Sequence, residues 1–104
     1  SYNRGEVLLL QGRPAEAMPL FAAAIADFER IKARTFLPEV LRLAAEASLA
    51  LGELAPAAEF AARSLAVADE LGLAADAAIA RRAIGQVAVA AGDLDAAAAE
   101  LEQS

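Results

Sequence analysis

Four carboxylates near the C-terminus are the first side chains whose spacing could support chemistry. Asp93 and Asp95 stand two residues apart, and Glu100 and Glu102 follow on the same stretch. A calcium-binding loop needs a glycine at its sixth position and a bidentate glutamate at its twelfth, and both are missing. A catalytic carboxylate pair needs a cleft that perturbs its pKa, and no pattern here supports one. We therefore interpret Asp93 as a helix N-cap and the two glutamates as part of a polar helix face.

The composition excludes most other catalytic and ligand-binding chemistry. The 104 residues contain no Cys and no His, which excludes disulfides, the usual zinc sites and Cys/His or Ser/His nucleophiles. The six glycines are isolated from one another, so there is no glycine-rich phosphate loop. We predict no catalytic residue, no cofactor and no metal ion, and hence no enzyme.

Charge and hydropathy limit the partners and the location. The formal net charge of −6 and the sequence pI of about 4.5 disfavour binding to nucleic acid phosphates, and the pair Arg81 and Arg82 is too short a basic run to offset this. No uncharged stretch reaches the roughly 18 residues of a membrane span, and the N-terminus lacks a signal-peptide pattern. We expect no membrane association and a cytoplasmic location. Because the sequence does not begin with Met, we expect a piece of a longer protein.

Internal repetition organises the chain. Glycines recur at a spacing of 40 residues, at Gly12, Gly52 and Gly92. We divide the single domain 1–104 into about 2.6 copies, near 1–34, 35–74 and 75–104. Small residues keep the same phase seven positions before and five positions after these glycines, at Gly5, Ala45, Gly85, Ala17, Ala57 and Ala97.

Each copy has the pattern of two helices. The 31 alanines favour helix, and β-branched residues are too few for a sheet. Apolar residues follow the spacing of a buried helical face. One such stripe is Phe21, Ile25, Phe28 and Ile31, and another is Ile84, Val87 and Ala91. The sequence predicts an all-α fold of six helices, at 2–11, 14–32, 36–51, 54–71, 74–91 and 94–103.

Glycine, proline and short polar residues predict where these helices begin and end. The repeated glycines stop helices because glycine accepts a left-handed backbone conformation, and Gly72 is expected to end the fourth helix. Pro14 and Pro56 fall in first helical turns, where a missing N–H costs least. Thr35 is expected to cap the third helix and Asp93 the sixth.

The repeated residues resemble the tetratricopeptide repeat family. That family has a small residue late in its first helix, Gly and an acidic residue at the turn, then a large apolar, a small and a bulky apolar position. The three copies place these residues, in chain order, at Gly5, Gly12, Pro14, Ala17 and Phe21; at Ala45, Gly52, Glu53, Leu54, Ala57 and Ala61; and at Gly85, Gly92, Asp93, Leu94, Ala97 and Leu101. The resemblance implies a right-handed superhelical stack of antiparallel helix pairs. The family's usual period is about 34 residues; the longer, Ala-rich copies here are similar to those of bacterial regulatory proteins, and HEAT-like repeats are the structural alternative.

The resemblance also implies a concave groove lined by the first helix of each pair. In the phase set by the glycines, three rows face that groove, with Asn3 and Glu39 beside them. The rows are Tyr2, Arg42 and Arg82; Glu6, Glu46 and Gln86; and Leu9, Leu49 and Val89. The groove would carry a charged strip and an aliphatic strip, which suits an apolar-faced helix or an extended peptide of mixed charge.

A structural interpretation stands beside the functional one for each row. Arg42 and Arg82 could be solvated surface, since Arg42 and Glu46 have the spacing of an ordinary helical ion pair. The aliphatic row could be buried against a neighbouring helix, and we favour that interpretation. The sequence thus predicts a scaffold module that binds another protein or peptide. The alternative is a regulatory or self-association domain of a larger bacterial signalling protein or transcriptional regulator, which forms a homo-oligomer through exposed repeat ends.

Overall fold

The helices of this fold contain few large side chains and many alanines. A computed structural model describes the backbone of residues 2–103 and the side chains of residues 2–93. Over these residues the chain is all-helical and contains no strand, which confirms the predicted class. Its elements are α1 (Tyr2–Leu10), α2 (Pro14–Arg30), a 3-10 turn (Arg34–Phe36), α3 (Leu37–Ala50), α4 (Leu54–Leu71) and α5 (Ala74–Gln103).

The turns after α1 and α3 have the same hydrogen bonding, 40 residues apart. Gly12 and Gly52 adopt φ values of +75° and +77°, where a side chain would be strained. The Gly52 N–H donates to the Leu49 carbonyl at 3.0 Å, and the next N–H donates to Ser48 at 2.9 Å; the bonds around Gly12 match these at 3.0 and 2.9 Å. This is the Schellman arrangement that satisfies the last carbonyls of a helix. Gly72 ends α4 in the left-handed conformation, as predicted.

The predicted break at Gly92 is wrong for this structure. Helix α5 continues through Gly92 and Asp93 to Gln103, so Asp93 caps no helix and residues 94–103 extend α5. A glycine inside a helix costs only about 1 kcal/mol relative to alanine, and four consecutive alanines at 96–99 favour continuation. Other predicted positions lie outside the described side chains: Leu94, Asp95, Ala97, Glu100, Leu101 and Glu102.

The connection between α2 and α3 also differs from the prediction. Helix α3 begins at Leu37 with Phe36 as its N-cap and no side-chain capping bond, so Thr35 does not cap it. The 3-10 turn before it places Thr35 inside a tight turn instead of at the helix boundary. Helix α2 ends at Arg30 because Lys32 adopts a φ of +60°, which stops the helix without a glycine.

The largest buried side chains lie where α2 packs on α3. Phe21, Leu41 and Leu43 are essentially inaccessible, and Ser64 on α4 donates a buried hydrogen bond of 2.7 Å to the Pro38 carbonyl. Consecutive helices pack on one another, and α3 also contacts both α1 and α5. Helix α3 is therefore the central element, and side chains on α1, α3 and α5 can share a surface.

A second, smaller cluster joins α3, α4 and α5. Its buried members are the alanines Ala45, Ala61 and Ala83, with Phe60 and Ile84 packed at its edge. Small side chains let helices approach closely but bury less apolar area for each residue. The core therefore changes along the chain from large side chains to alanines.

Candidate interaction face

A hollow of about 290 Å³ lies between α3 and α5. Arg42 and Glu46 line it from α3, and Arg82 and Gln86 line it from α5. These four residues belong to the two polar rows predicted from the sequence. Their i and i+4 spacing puts each pair on one face of its helix, and the contact between α3 and α5 brings the two pairs together.

The hollow has apolar sides as well as charges. Ile79 and Ala83 line it one turn from Arg82 and Gln86, and Ile79 remains substantially exposed although its side chain is large and apolar. Ile79 was not predicted as a site residue, although it stands three residues before Arg82 and therefore on the same helical face. The hollow can therefore contact an apolar group while its rim offers donors and acceptors.

Arg42 and Glu46 form an ion pair within α3. The guanidinium Nη1 lies 3.0 Å from Glu46 Oε2, and the side chains are 21% and 38% exposed. An i,i+4 pair of this kind contributes only about 0.2–0.5 kcal/mol. The pair therefore fixes the orientation of Arg42 more than it stabilises the fold, and it leaves further guanidinium N–H groups available to the hollow.

Tyr2 and Glu39 extend the polar surface toward the N-terminus. The Tyr2 hydroxyl donates a 3.2 Å hydrogen bond to Glu39 Oε2, and its ring meets Phe28 edge-on with centroids 5.7 Å apart. Partial burial raises the pKa of the Tyr2 phenol, and the Glu39 carboxylate raises it further by its charge and by accepting the hydrogen bond, with a smaller effect from Glu6. Tyr2 thus stays a neutral donor that links α1 to α3.

The remaining predicted positions are not gathered into this site. Asn3 is exposed, and Glu6 is half-buried on α1. Leu9 is half-buried and packs against the large-residue core, and Leu49 is also half-buried, whereas Val89 is 65% exposed. The aliphatic row is thus unequal: its α1 and α3 members face inward in part, and its α5 member faces solvent.

Ion pairs that join different elements were not predicted. Arg34 makes two hydrogen bonds to Glu70, of 2.9 and 2.7 Å, and Arg63 donates to Glu29 at 2.8 Å. The hydrogen bonds from Arg34, and then its charge, lower the pKa of the Glu70 carboxyl. The two residues of each pair are far apart in sequence, and Arg34 lies in an irregular turn. No periodic pattern therefore predicts these pairs.

A second groove, almost wholly apolar, lies between α4 and α5. Its volume is about 280 Å³. Its lining residues are Ala58, Ala62, Ile84, Val87, Ala88 and Ala91. The stripe Ile84, Val87 and Ala91, predicted as a buried helix face, is thus only partly covered in the structure.

Comparison with protein-family models, with curated proteins and with solved structures found no match to the chain. Of the helices between Tyr2 and Gln103, none combines the length and hydrophobicity that crossing a bilayer requires.

Proposed function

We propose that the chain is a protein-interaction module that binds a helical or extended peptide segment on the surface shared by α1, α3 and α5. The observation that carries the proposal is the hollow between α3 and α5. Two polar pairs 40 residues apart, Arg42 with Glu46 and Arg82 with Gln86, meet there around the apolar side chain of Ile79. A surface that combines donors, an acceptor and an apolar group suits a peptide better than a small reactive substrate.

The proposal includes an arrangement of the helices as stacked pairs, like that of tetratricopeptide repeats. It is supported by the identical turns at Gly12 and Gly52 and by the contacts of α3 with both α1 and α5. Each further copy in a longer array would add one polar pair to the same surface. The preferred partner then carries carboxylates or carbonyls for Arg42 and Arg82 and an apolar residue for Ile79.

Peptide selection on the immobilised chain tests this proposal. A displayed library of helical and extended peptides is selected for binding, and the affinity of the recovered peptides is measured by calorimetry. The variants Arg42→Glu and Arg82→Glu should each weaken binding about tenfold or more, since a hydrogen bond to a charged group contributes about 1.5–3 kcal/mol.

A matched control is Arg30→Glu, which makes the same charge change on an exposed part of α2. It should leave the affinity unchanged. Circular dichroism melting of all three variants separates lost binding from lost folding. Equal affinity of the unaltered chain and the Arg82→Glu variant would remove this hollow from the binding site, and so would peptides that fail to shift the NMR signals of α3 and α5.

The second candidate function is a regulatory domain that acts by self-association. It is favoured by a largely apolar hollow of about 310 Å³ between the N-terminus of α1 and the C-terminal half of α2, which Tyr2, Leu20 and Phe28 help to line. Light scattering at increasing concentration tests it: a growing dimer fraction that Leu20→Glu abolishes would support it. A chain that stays monomeric at millimolar concentration would refute it.

A further inference from the structure

The two arginines of the hollow between α3 and α5 differ in the residue that follows them one helical turn later. Arg42 is followed four residues later by Glu46. Arg82 stands 40 residues after Arg42 and is followed at the same interval by Gln86. Residues four apart are neighbours on one face of a helix. The two copies of the repeat therefore give the hollow a carboxylate beside one arginine and a neutral amide beside the other.

This difference determines which guanidinium group already has an opposite charge beside it. Arg42 is half-buried, and its Nη1 donates a 3.0 Å hydrogen bond to Glu46 Oε2. Arg82 is exposed and forms no ion pair with another side chain of residues 2–93. The amide of Gln86 carries no net charge, so it cannot neutralise a guanidinium. Arg82 therefore has the positive charge that the hollow can offer to a ligand.

An exposed apolar side chain lies one helical turn away from that charge. Ile79 stands three residues before Arg82, lines the same hollow and is 39% exposed. Side chains three or four residues apart on a helix have Cβ atoms about 5–6 Å apart. A partner that contacts both residues must therefore present an apolar group and an anionic group at a similar separation. Two residues that stand three or four positions apart on a helix meet this condition.

We infer that the partner is a helix that supplies a carboxylate to Arg82 and, one turn away, an apolar side chain to Ile79. The inference rests on the proposed peptide-binding function and narrows it to one class of partner. Arg42, whose charge Glu46 already balances, donates instead to a neutral carbonyl oxygen of the bound segment. Glu46 and Gln86 are then the residues that determine specificity, because they decide which arginine accepts an anion.

A singly charged carboxylate fits this arrangement better than a phosphate group does. A phosphoserine carries a charge of about −1.5 to −2 at pH 7 and is typically bound by a cluster of arginines. In this hollow one of the two arginines is already paired, and the Glu46 carboxylate lines the same space. That carboxylate would repel the second negative charge of a phosphate. We therefore expect glutamate to bind more tightly than phosphoserine at the same peptide position.

Two displayed libraries of alanine-based helical peptides test this preference. One library fixes a leucine and a glutamate four positions apart, and the other fixes a leucine and a glutamine at the same positions. Each recovered peptide is then made with glutamate, glutamine or phosphoserine at the fixed polar position, and calorimetry measures the three affinities. The glutamate form should bind about tenfold more tightly than the glutamine form, because hydrogen bonds to charged groups are the stronger ones.

Two substitutions that exchange the neighbours of the arginines should change the ratio of the glutamate affinity to the glutamine affinity. Gln86→Glu gives Arg82 a carboxylate on its own helix and should lower the ratio about threefold. Glu46→Gln removes the carboxylate beside Arg42 and should raise the ratio about twofold. Circular dichroism melting of both variants checks that they remain folded.

Matched controls make the same charge changes outside the hollow. Gln11→Glu and Glu59→Gln lie at exposed positions and should leave the ratio unchanged.

Three results would overturn the inference and leave peptide binding itself intact. They are equal affinity for the glutamate and glutamine forms, tighter binding of the phosphoserine form, and a ratio that Gln86→Glu does not lower. Failure of both restricted libraries, when the unrestricted library of helical and extended peptides still yields binders, would also overturn this inference alone. Failure of all three libraries would overturn the proposed function together with it.

Discussion

Hairpin α1–α2 and hairpin α3–α4 have the same turn but are packed with side chains of different size. In the first hairpin the fully buried Phe21 lies against Gly5. In the second, the equivalent positions are Ala61 and Ala45, both buried and both small. The same repeat pattern therefore accommodates either a large residue packed against a glycine or an alanine packed against an alanine.

This difference distributes the stability of the chain unevenly. Among the side chains of residues 2–93, the largest inaccessible ones belong to α2 and α3, whereas the buried apolar residues on α4 and α5 are alanines and Val87. Hydrophobic stabilisation grows with the apolar area removed from water, at roughly 25 cal/mol for each Å². The first hairpin and α3 should therefore be the last part to unfold, and α5 the first.

The largest expected effect on stability comes from replacing Phe21 in the first hairpin by alanine, the residue that the second hairpin has at the equivalent position. Phe21→Ala should lower the free energy of unfolding by about 3–5 kcal/mol, because it removes a fully buried ring and leaves a cavity. Urea denaturation followed by circular dichroism measures this loss. Phe36→Ala makes the same change at a ring that is 50% exposed, and it should cost less than half as much. Equal losses for the two variants would show that the core is not centred on Phe21.

Gly5→Ala should have a smaller effect on stability, and the sign of that effect should depend on the size of the residue that packs against Gly5. Gly5→Ala gains about 0.5–1 kcal/mol of helix propensity, but its Cβ would stand 2.7 Å from the Phe21 ring. Overpacking of this kind costs about 1–3 kcal/mol, so the single substitution should destabilise the chain by up to about 2 kcal/mol. In the Phe21→Ala background the ring is absent, and Gly5→Ala should stabilise by about 1 kcal/mol.

Gly85→Ala is the matched control for this pair, since an added Cβ there has no neighbour within 4 Å. It should stabilise the chain by about 0.5–1 kcal/mol whether or not Phe21 is present. A double-mutant cycle from urea midpoints gives both values. Additive effects of Gly5→Ala and Phe21→Ala would refute the contact between α1 and α2 as described.

The comparison also explains which parts of the fold were readable from the sequence. The ends of α1, α3 and α4 were predictable because Gly12, Gly52 and Gly72 relieve a strain that is local to the backbone. Gly92 has the same local signal but a different outcome, because a glycine permits a turn without requiring one. Lys32 shows the converse: its left-handed conformation carries no residue-type signal, and it accompanies local hydrogen bonds from the Lys32 and Ala33 N–H groups to the Glu29 and Phe28 carbonyls.

The candidate site also has a part that could be predicted from the sequence and a part that could not. Arg42, Glu46, Arg82 and Gln86 could be placed on one surface, because helical spacing puts each pair on one face of its helix and the resemblance to stacked helix pairs implies that those faces adjoin. The hydrogen bond from Tyr2 to Glu39 was not derivable, since it depends on how far α1 is offset from α3. The unequal burial of the aliphatic row could not be foreseen for a similar reason: it depends on how each helix packs against its neighbours.

The smallest expected effect concerns the junctions between copies. Arg34 and Glu70 join the first copy to the second by two hydrogen bonds, whereas Asp69 and Arg81 join α4 to α5 at 3.5 Å. Hydrogen bonds from Arg34 lower the pKa of the Glu70 carboxyl. Because the folded-state pKa is the lower one, the pair stabilises the fold above the ordinary glutamate pKa of about 4.3. That contribution is lost as pH falls through the folded-state value.

Carboxyl carbon NMR against pH measures this directly. Arg34→Gln should raise the midpoint of Glu70 toward its ordinary value and should remove the part of the acid sensitivity that the pair causes. The matched control Arg30→Gln, in the same segment, should leave the Glu70 midpoint in place. High salt should shrink the difference between the two variants, because both partners lie at the surface and their charges are screened. An unchanged Glu70 midpoint in Arg34→Gln would mean that Arg34 does not bond to Glu70 in solution, and the first two copies would then be joined by the Arg63–Glu29 pair, the Tyr2–Glu39 hydrogen bond and apolar packing.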